Sequence, residues 1–242
     1  MEPTAYLDHI RADGFALRLA AERALELRVP TCPDWDVAEL VRHLGRGHRW
    51  FADIVKSRAT KGRRFPVSDP RPDPLLPWYD EGLAQVIDVL GAIDPEEPVW
   101  NWLDGKPGPA RFWHRRVALE TAVHRWDAQC AARCPQPIDA DLAIDGIDEH
   151  LAIMAFRLPV HPVEGLSGSL HLHATDVDGE WSLRLKPDGL DHDRSDTTAD
   201  AAVRGPASDL LLWLVNREPP ESSALELVGE RSVIDVWRSV CF

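Results

Sequence analysis

The chain is organised around residues 115–128, RRVALETAVHRWDA. This segment lacks Gly and Pro, contains good helix formers and repeats apolar residues at helical spacing, so it predicts a helix from about Ala110 to Ala132. One side of the helix wheel carries the residues that we expect to face solvent: His114, Ala118, Arg125 and Gln129. The opposite side carries Trp113, Val117, Val123 and Ala128, with Glu120 at its middle. We therefore expect a carboxylate within a buried apolar face.

Glu120 is the residue of this helix that most needs a partner. A buried carboxylate costs several kcal/mol unless it is paired, protonated or bound to a metal. His124 follows four residues later, and side chains at this spacing project side by side, so the two can hold one ion between them. The alternative is an ordinary ion pair with Arg116, four residues before Glu120, whose long side chain can also reach solvent.

A second predicted helix supplies another candidate ligand. Asp36 followed by Glu39 resembles a capping box, and a clear apolar stripe follows it. His43 lies about 110° from the centre of that stripe, on a flank where a helix borders a cavity. Ligand sites in helical bundles are built from side chains on opposed helices. Three protein ligands, His43, Glu120 and His124, would leave a coordination position open, as in catalytic zinc sites.

The composition excludes several classes of protein. The 242 residues are 44% hydrophobic and 28% charged, which is typical of a soluble globular protein. No apolar run approaches the roughly 18 residues of a membrane span, and the N-terminus lacks the regions of a signal peptide, so we expect a cytoplasmic protein. The formal charge of −13 disfavours binding to nucleic acid or anionic lipid. The four cysteines form no disulfide framework at this length, and we expect Cys130 and Cys134 to be small buried side chains.

The remaining pattern predicts two domains, an α domain followed by an α+β domain. Five helices are expected up to residue 160, the first over Thr4–Leu27 and the fifth over Asp139–Leu158. Alternating apolar and polar residues after that predict strands at residues 170–174, 181–185 and 201–204, with a helix over Asp209–Asn216. Residues 225–228 and 233–237 read as a closing hairpin. We place the domains at residues 1–160 and 166–242.

Three motifs together resemble one known family. They are residues 31–45, TCPDWDVAELVRHLG, residues 120–128, ETAVHRWDA, and residues 203–217, VRGPASDLLLWLVNR. The first two are similar to the mycothiol-dependent maleylpyruvate isomerase family, and the third is similar to its smaller second domain. The resemblance implies an N-terminal DinB-like up-down four-helix bundle, here with an extra helix, followed by a small α+β domain. It also implies that His43, Glu120 and His124 bind a divalent metal, most often Zn²⁺.

The family resemblance further implies an enzyme that uses a low-molecular-weight thiol such as mycothiol. A metal-bound thiol loses its proton near neutral pH. Added to a cis double bond conjugated to a carbonyl, it leaves a single bond that rotates before elimination gives the trans isomer. Thiol transfer to another small electrophile would use the same groups. The alternative is a non-catalytic, ligand-binding module of the same fold. The oligomeric state stays open.

A substrate carboxylate would favour an arginine, whose planar fork binds carboxylates in a bidentate manner. Arg217 matches the arginine that ends the third motif and is our first candidate, with Arg125 second. The alternative for Arg217 is a helix C-terminal cation. We expect His48 to be a packed core residue and expect His171 and His173 to share a solvated strand face.

Overall fold

The computed structural model describes residues 1–65, 74–103, 105–160, 165, 167–186, 189–217 and 224–237. The chain divides into two compact units, residues 1–136 and residues 137–242. In its described residues, the first unit contains four helices and two short antiparallel strand pairs: α1 (Pro3–Ala21), β1 (Arg28–Val29), β2 (Cys32–Asp36), α2 (Val37–Lys56), α3 (Leu75–Ala92), β3 (Pro98–Trp100), β4 (Pro107–Pro109) and α4 (Arg111–Ala131). The most extensive helix contacts run in the order α1, α4, α2, α3 and back to α1, so that each helix packs on two neighbours.

The central helix of this unit, α4, is buried on nearly all sides. The prediction of a solvated face on this helix is wrong, because its four residues are all buried: His114, Ala118, Arg125 and Gln129. Their polar groups find partners inside the protein, since His114 Nε2 bonds to the Leu90 carbonyl and Arg125 Nη1 donates to Gln129. Glu120, predicted to lie in the middle of the buried face, is partly exposed, and its side chain is 25% accessible.

The first helix is shorter than expected. It ends at Ala21 rather than Leu27, and Glu2 rather than Thr4 occupies the N-cap position without a side-chain hydrogen bond. Residues 22–27 instead form turns that lead into β1. Pro3 begins the helix, where its lack of a backbone N–H leaves one fewer unpaired donor in the first turn.

The second unit is a mixed five-stranded sheet with three helices: α5 (Ala140–Arg157), β5 (Gly168–Ala174), β6 (Glu180–Lys186), β7 (Gly189–Asp193), β8 (Ala201–Gly205), α6 (Ala207–Leu214), β9 (Glu226–Gly229) and α7 (Arg231–Trp237). The strand order is β7-β6-β5-β8-β9, with β5 and β8 parallel and all other pairs antiparallel. Leu170, Leu172, Trp181 and Leu183 are buried and alternate with polar residues along β5 and β6, as the sequence pattern predicted.

Two predictions about this part of the chain differ from the structure. The fifth helix, α5, contacts α6 and β7 and so lies in the second unit, whereas the predicted boundary at residue 160 assigned it to the first. The expected closing hairpin is wrong, because residues 231–237 form α7. Val233, Ile234 and Trp237 are buried on that helix at spacings of one, three and four. In so short an apolar run, the sequence pattern does not distinguish a helix from a strand. The predicted class, an α unit followed by an α+β unit, is confirmed.

No disulfide joins the cysteines within the described residues, and Cys241 lies outside them. The expected burial of Cys130 and Cys134 is wrong, because Cys130 is partly exposed and Cys134 is exposed. Among those same residues, no helix has both the length and the apolar character needed to cross a membrane.

Candidate metal centre

The start of α2 fixes the position of His43. Asp36 is the N-cap, and its side chain accepts a hydrogen bond from the Glu39 backbone N–H at 2.8 Å. This confirms the predicted start of the helix, and the apolar stripe beyond it, including Leu40 and Leu44, is fully buried. His43 lies two turns from the cap, on the flank of the stripe, with 26% of its side chain exposed.

The side chains of His43, Glu120 and His124 converge, although His43 comes from α2 and the other two from α4. Glu120 Oε1 lies 3.4 Å from His43 Nε2 and 3.2 Å from His124 Nε2. One ligand atom from each residue lies within 4.8 Å of the others. Bonds of about 2.0–2.1 Å at tetrahedral angles place neighbouring zinc ligands about 3.3 Å apart. The two distances from Glu120 Oε1 therefore match the separation of neighbouring ligands around a tetrahedral zinc ion.

The two oxygens of Glu120 have different partners. Arg116 Nη2 donates to Oε2, so the ion pair considered as an alternative does exist, but it leaves Oε1 facing the two histidines. Burial would raise the pKa of Glu120, but Arg116, His124 and His43 together hold it well below its usual value. The carboxylate is therefore ionised at neutral pH, the state in which it can bind a cation.

His124 is held from both sides of its ring. Its Nδ1–H donates to Asp127 Oδ2 at 3.0 Å, and Asp127 Oδ1 accepts a hydrogen bond from the Thr31 hydroxyl at 2.6 Å. Burial would lower the pKa of His124, but the hydrogen bonds to Asp127 and Glu120 raise it to about 9. Carboxylate–histidine pairs of this kind fix the tautomer and orientation of metal-binding histidines.

The sequence analysis did not identify Asp127, although a local signal was present. Asp127 follows His124 by three residues, which places the two side chains on one helix face. Its own partner, Thr31, lies 96 positions away in the chain. Only the folded structure brings that hydroxyl to the fully buried carboxylate.

Aromatic side chains border the exposed edge of the centre. The ring of His43 lies 4.9 Å from that of Trp35 and 5.8 Å from that of Phe65, measured between centroids. Phe65 in turn contacts Trp50, which stacks on Trp102 at 6.0 Å. The three polar side chains of the centre are therefore bordered largely by apolar rings.

The other candidate residues have different surroundings. His48 is a core residue, as predicted: it is fully buried, it bonds to Thr121 Oγ1 at 3.1 Å, and burial lowers its pKa to about 3. Arg125, the second candidate for a substrate carboxylate, is only 4% exposed and forms an ion pair with Asp13, so it has a structural role. Arg217 lies just beyond α6 in the second unit, where its Nη1 donates to the Val215 carbonyl.

Comparison with known proteins gives two family matches. Residues 8–129 match the mycothiol maleylpyruvate isomerase N-terminal domain, and residues 141–235 match the MDMPI C-terminal domain. The second match begins at α5, in agreement with the division of the structure at residue 136. A search of curated proteins found no match.

The structure is also similar to two crystal structures of mycothiol-dependent maleylpyruvate isomerase, one of them a point mutant. Each shares 11% sequence identity with the chain, covers 95% of both chains and has a TM-score of 0.67. At this identity the similarity establishes a shared fold.

Proposed function

Because the chain belongs to the mycothiol maleylpyruvate isomerase family, we propose that it is a metal-dependent enzyme that uses a mycothiol-like thiol to isomerise a small electrophile. The family that the three sequence motifs predicted is thereby confirmed. The single observation that carries the proposed chemistry is the arrangement of His43 Nε2 and His124 Nε2 at 3.4 and 3.2 Å from one carboxylate oxygen of Glu120.

The donor set suits a divalent transition metal, with Zn²⁺ as our first choice. Two imidazoles and one carboxylate occur in catalytic zinc sites, which keep a further position open for a water or substrate. Such an ion supplies a site where a bound thiol is deprotonated near neutral pH, and that thiol supplies the nucleophile for reversible addition to a conjugated cis double bond.

The residues of this chain prepare the site for that chemistry. Asp127 holds the His124 ring so that Nε2 points toward Glu120 Oε1. Arg116 occupies the second oxygen of Glu120, which restricts the carboxylate to a single oxygen facing the histidines. The neighbouring rings of Trp35 and Phe65 reduce the access of water to the edge where His43 is exposed, and electrostatic interactions are stronger where water is excluded.

We further propose that Arg217 binds a carboxylate of the substrate. It matches the last residue of the third motif, and the planar guanidinium fork presents its N–H donors in a geometry that suits a carboxylate. The alternative role, a cation at the C-terminal end of α6, predicts an effect on stability instead of on the binding of substrate.

Elemental analysis combined with an isomerisation assay tests the proposed function. We expect the purified protein to contain zinc at His43, Glu120 and His124, and to convert maleylpyruvate to its trans isomer only when both the metal and mycothiol are present. A thiol adduct as the product would indicate a transferase. Stoichiometric metal without turnover, with mycothiol or any other small thiol, would support a non-catalytic binding module and contradict the proposal.

A further inference from the structure

A second cluster of metal-binding side chains lies on the sheet of the second unit. His171 and His173 are two residues apart on β5 and so point to one face, opposite to that of Leu170 and Leu172. In the antiparallel pairing with β6, Glu180 lies directly across from His173 and diagonally across from His171. Three donor side chains therefore meet on one face through the register of two strands.

The carboxylate of Glu180 lies between the two imidazoles. His171 Nε2 hydrogen bonds to Oε2, and His173 Nδ1 hydrogen bonds to Oε1 at 2.5 Å. The face that we predicted to be solvated is therefore only partly so, because the His171 side chain is 9% exposed while that of His173 is 37% exposed. A buried ring next to a carboxylate on a sheet surface is an arrangement that side-chain alternation alone does not predict.

The segment after β7 adds a fourth donor. Asp196 Oδ1 lies 3.9 Å from His171 Nε2, and its side chain is 81% exposed. Ser182 on β6 anchors this segment, because its hydroxyl donates to the Ser195 carbonyl at 2.8 Å and bonds to Thr197 Oγ1 at 2.5 Å. The residues on both sides of Asp196 are thus tied to the strand that carries Glu180.

The cluster has an excess of negative charge when its histidines are neutral. It contains two carboxylates, Glu180 and Asp196, and no lysine or arginine forms an ion pair with either of them within the described residues. Arg204 lies beside His173 in the register of β8, but it is exposed and joins no ion pair in the described part of the chain. A cation would complete the charge balance of the cluster.

We propose that His171, His173, Glu180 and Asp196 form a second site for a divalent transition metal such as Zn²⁺. The donor atoms of His171, Glu180 and Asp196 lie within 4.8 Å of one another, and His173 Nδ1 lies 2.5 Å from Glu180 Oε1. A bound ion would bring these donors to the roughly 3.3 Å separations of a tetrahedral site. Imidazole donors favour zinc, copper or nickel over calcium and magnesium. Four protein ligands leave no open position, so the site is structural and fastens the Asp196 segment to the sheet.

This inference does not rest on the proposed function, because the two sites share no residues. The experiment removes metal from the full chain with a chelator and measures zinc bound on titration, in the wild type and in four variants. We expect two zinc equivalents in the wild type, one in His171→Ala, one in Glu120→Gln and none in the double variant. His192→Ala is the matched control: it lies across from Leu183 on β7, on the other face of the sheet, and should keep two.

The zinc stoichiometries distinguish failure of either site. One equivalent in the wild type that His171→Ala retains and Glu120→Gln loses would overturn the second site. One equivalent with the opposite pattern would support the second site and contradict the first. If His171→Ala does not fold, Asp196→Asn replaces it, since that side chain is exposed. We expect Asp196→Asn to weaken zinc binding at this site at least about tenfold, and unchanged affinity would contradict the four-ligand site.

Discussion

Asp127 provides the sharpest test of how the first site is held together, because it contacts one proposed ligand without being a ligand itself. Its side chain is fully buried, and its two oxygens accept hydrogen bonds from His124 and Thr31. In Asp127→Asn, the amide oxygen can still accept from His124, while the Thr31 hydroxyl can turn and accept from the amide nitrogen. The substitution therefore removes the charge and keeps the shape.

The magnitude follows from the nature of the lost interaction. Hydrogen bonds to a charged group contribute about 1.5–3 kcal/mol, and changes in the partners of metal ligands cost about 10–100-fold in metal affinity. Because Asp127→Asn keeps a neutral hydrogen bond to His124, we expect about a 10-fold loss. Asp127→Ala removes the acceptor and leaves the His124 Nδ1–H without it, so about a 100-fold loss is expected.

Zinc dissociation constants at fixed pH, measured by competition with a chelating dye, provide the assay. Thr31→Val is the matched control, because it removes one donor to Asp127 and leaves the bond between Asp127 and His124 in place. We expect less than a threefold effect on zinc affinity there, as only a bond one step further from the ligand is lost. Equal affinities for the wild type and Asp127→Ala, with the variant folded by circular dichroism, would refute the idea that Asp127 orients a ligand.

Four further predictions follow from the same structure. Glu120→Gln should weaken zinc binding at the first site by at least about 100-fold. It should also lower the melting temperature of the zinc-loaded protein, because the stabilisation of the folded state by a bound ion grows with the logarithm of its affinity. Unchanged zinc content would remove Glu120 from the site. Without metal, the raised pKa of His124, about 9, contributes stability that is fully present below its unfolded pKa of about 6.5 and is lost as the pH rises through 9. Metal must displace that proton, so zinc affinity at this site should rise about tenfold per pH unit from pH 7 to 8.5 and level off above 9, and a flat profile would contradict the protonated His124. Arg217→Gln should lower kcat/KM for a carboxylate substrate by about 10–150-fold, because a hydrogen bond between charged groups is lost, while the zinc content stays unchanged. An effect on stability alone would indicate that Arg217 is only a cation at the helix end. Gly229→Ala should lower the free energy of unfolding of the second unit by more than about 2 kcal/mol, measured by urea unfolding, because φ is +86° and an added Cβ would lie 2.3 Å from the Asp200 carbonyl oxygen. Gly189→Ala is the control, since the space around Gly189 is open, and it should change the free energy of unfolding by less than about 0.5 kcal/mol.

The parts of the fold that sequence could predict are those set by neighbouring residues. The cap of α2 needs only Asp36 and the Glu39 backbone N–H, and the juxtaposition of Glu120 and His124 needs only helical spacing. The strands β5 and β6 follow from alternation along the chain. These features depend on separations of a few residues, where backbone geometry alone fixes which side chains meet.

The parts that sequence missed depend on distant partners. The helix wheel groups Arg125 with His114, Ala118 and Gln129 and predicts exposure, yet Asp13, 112 positions away, allows Arg125 to be buried. The partner of α5 was missed for a similar reason, since an amphipathic helix shows that one face is buried but not against which element. The same limit applies to His171, whose burial depends on the register with β6 and on the segment around Asp196.

Glu120 shows why the two explanations offered for a buried acid do not compete. The sequence presented an ion pair with Arg116 and a metal ligand as alternatives, but a carboxylate has two oxygens, and the structure gives one to Arg116 and the other to the histidines. The charges favour this division. Glu120 and Asp127 together would cancel the charge of a divalent ion, and Arg116 would then leave one positive charge in excess. Under the proposed function, that surplus would suit an anionic thiolate better than a neutral thiol, so Arg116 would favour the deprotonated form of the thiol in the same way that it favours the ionised form of Glu120.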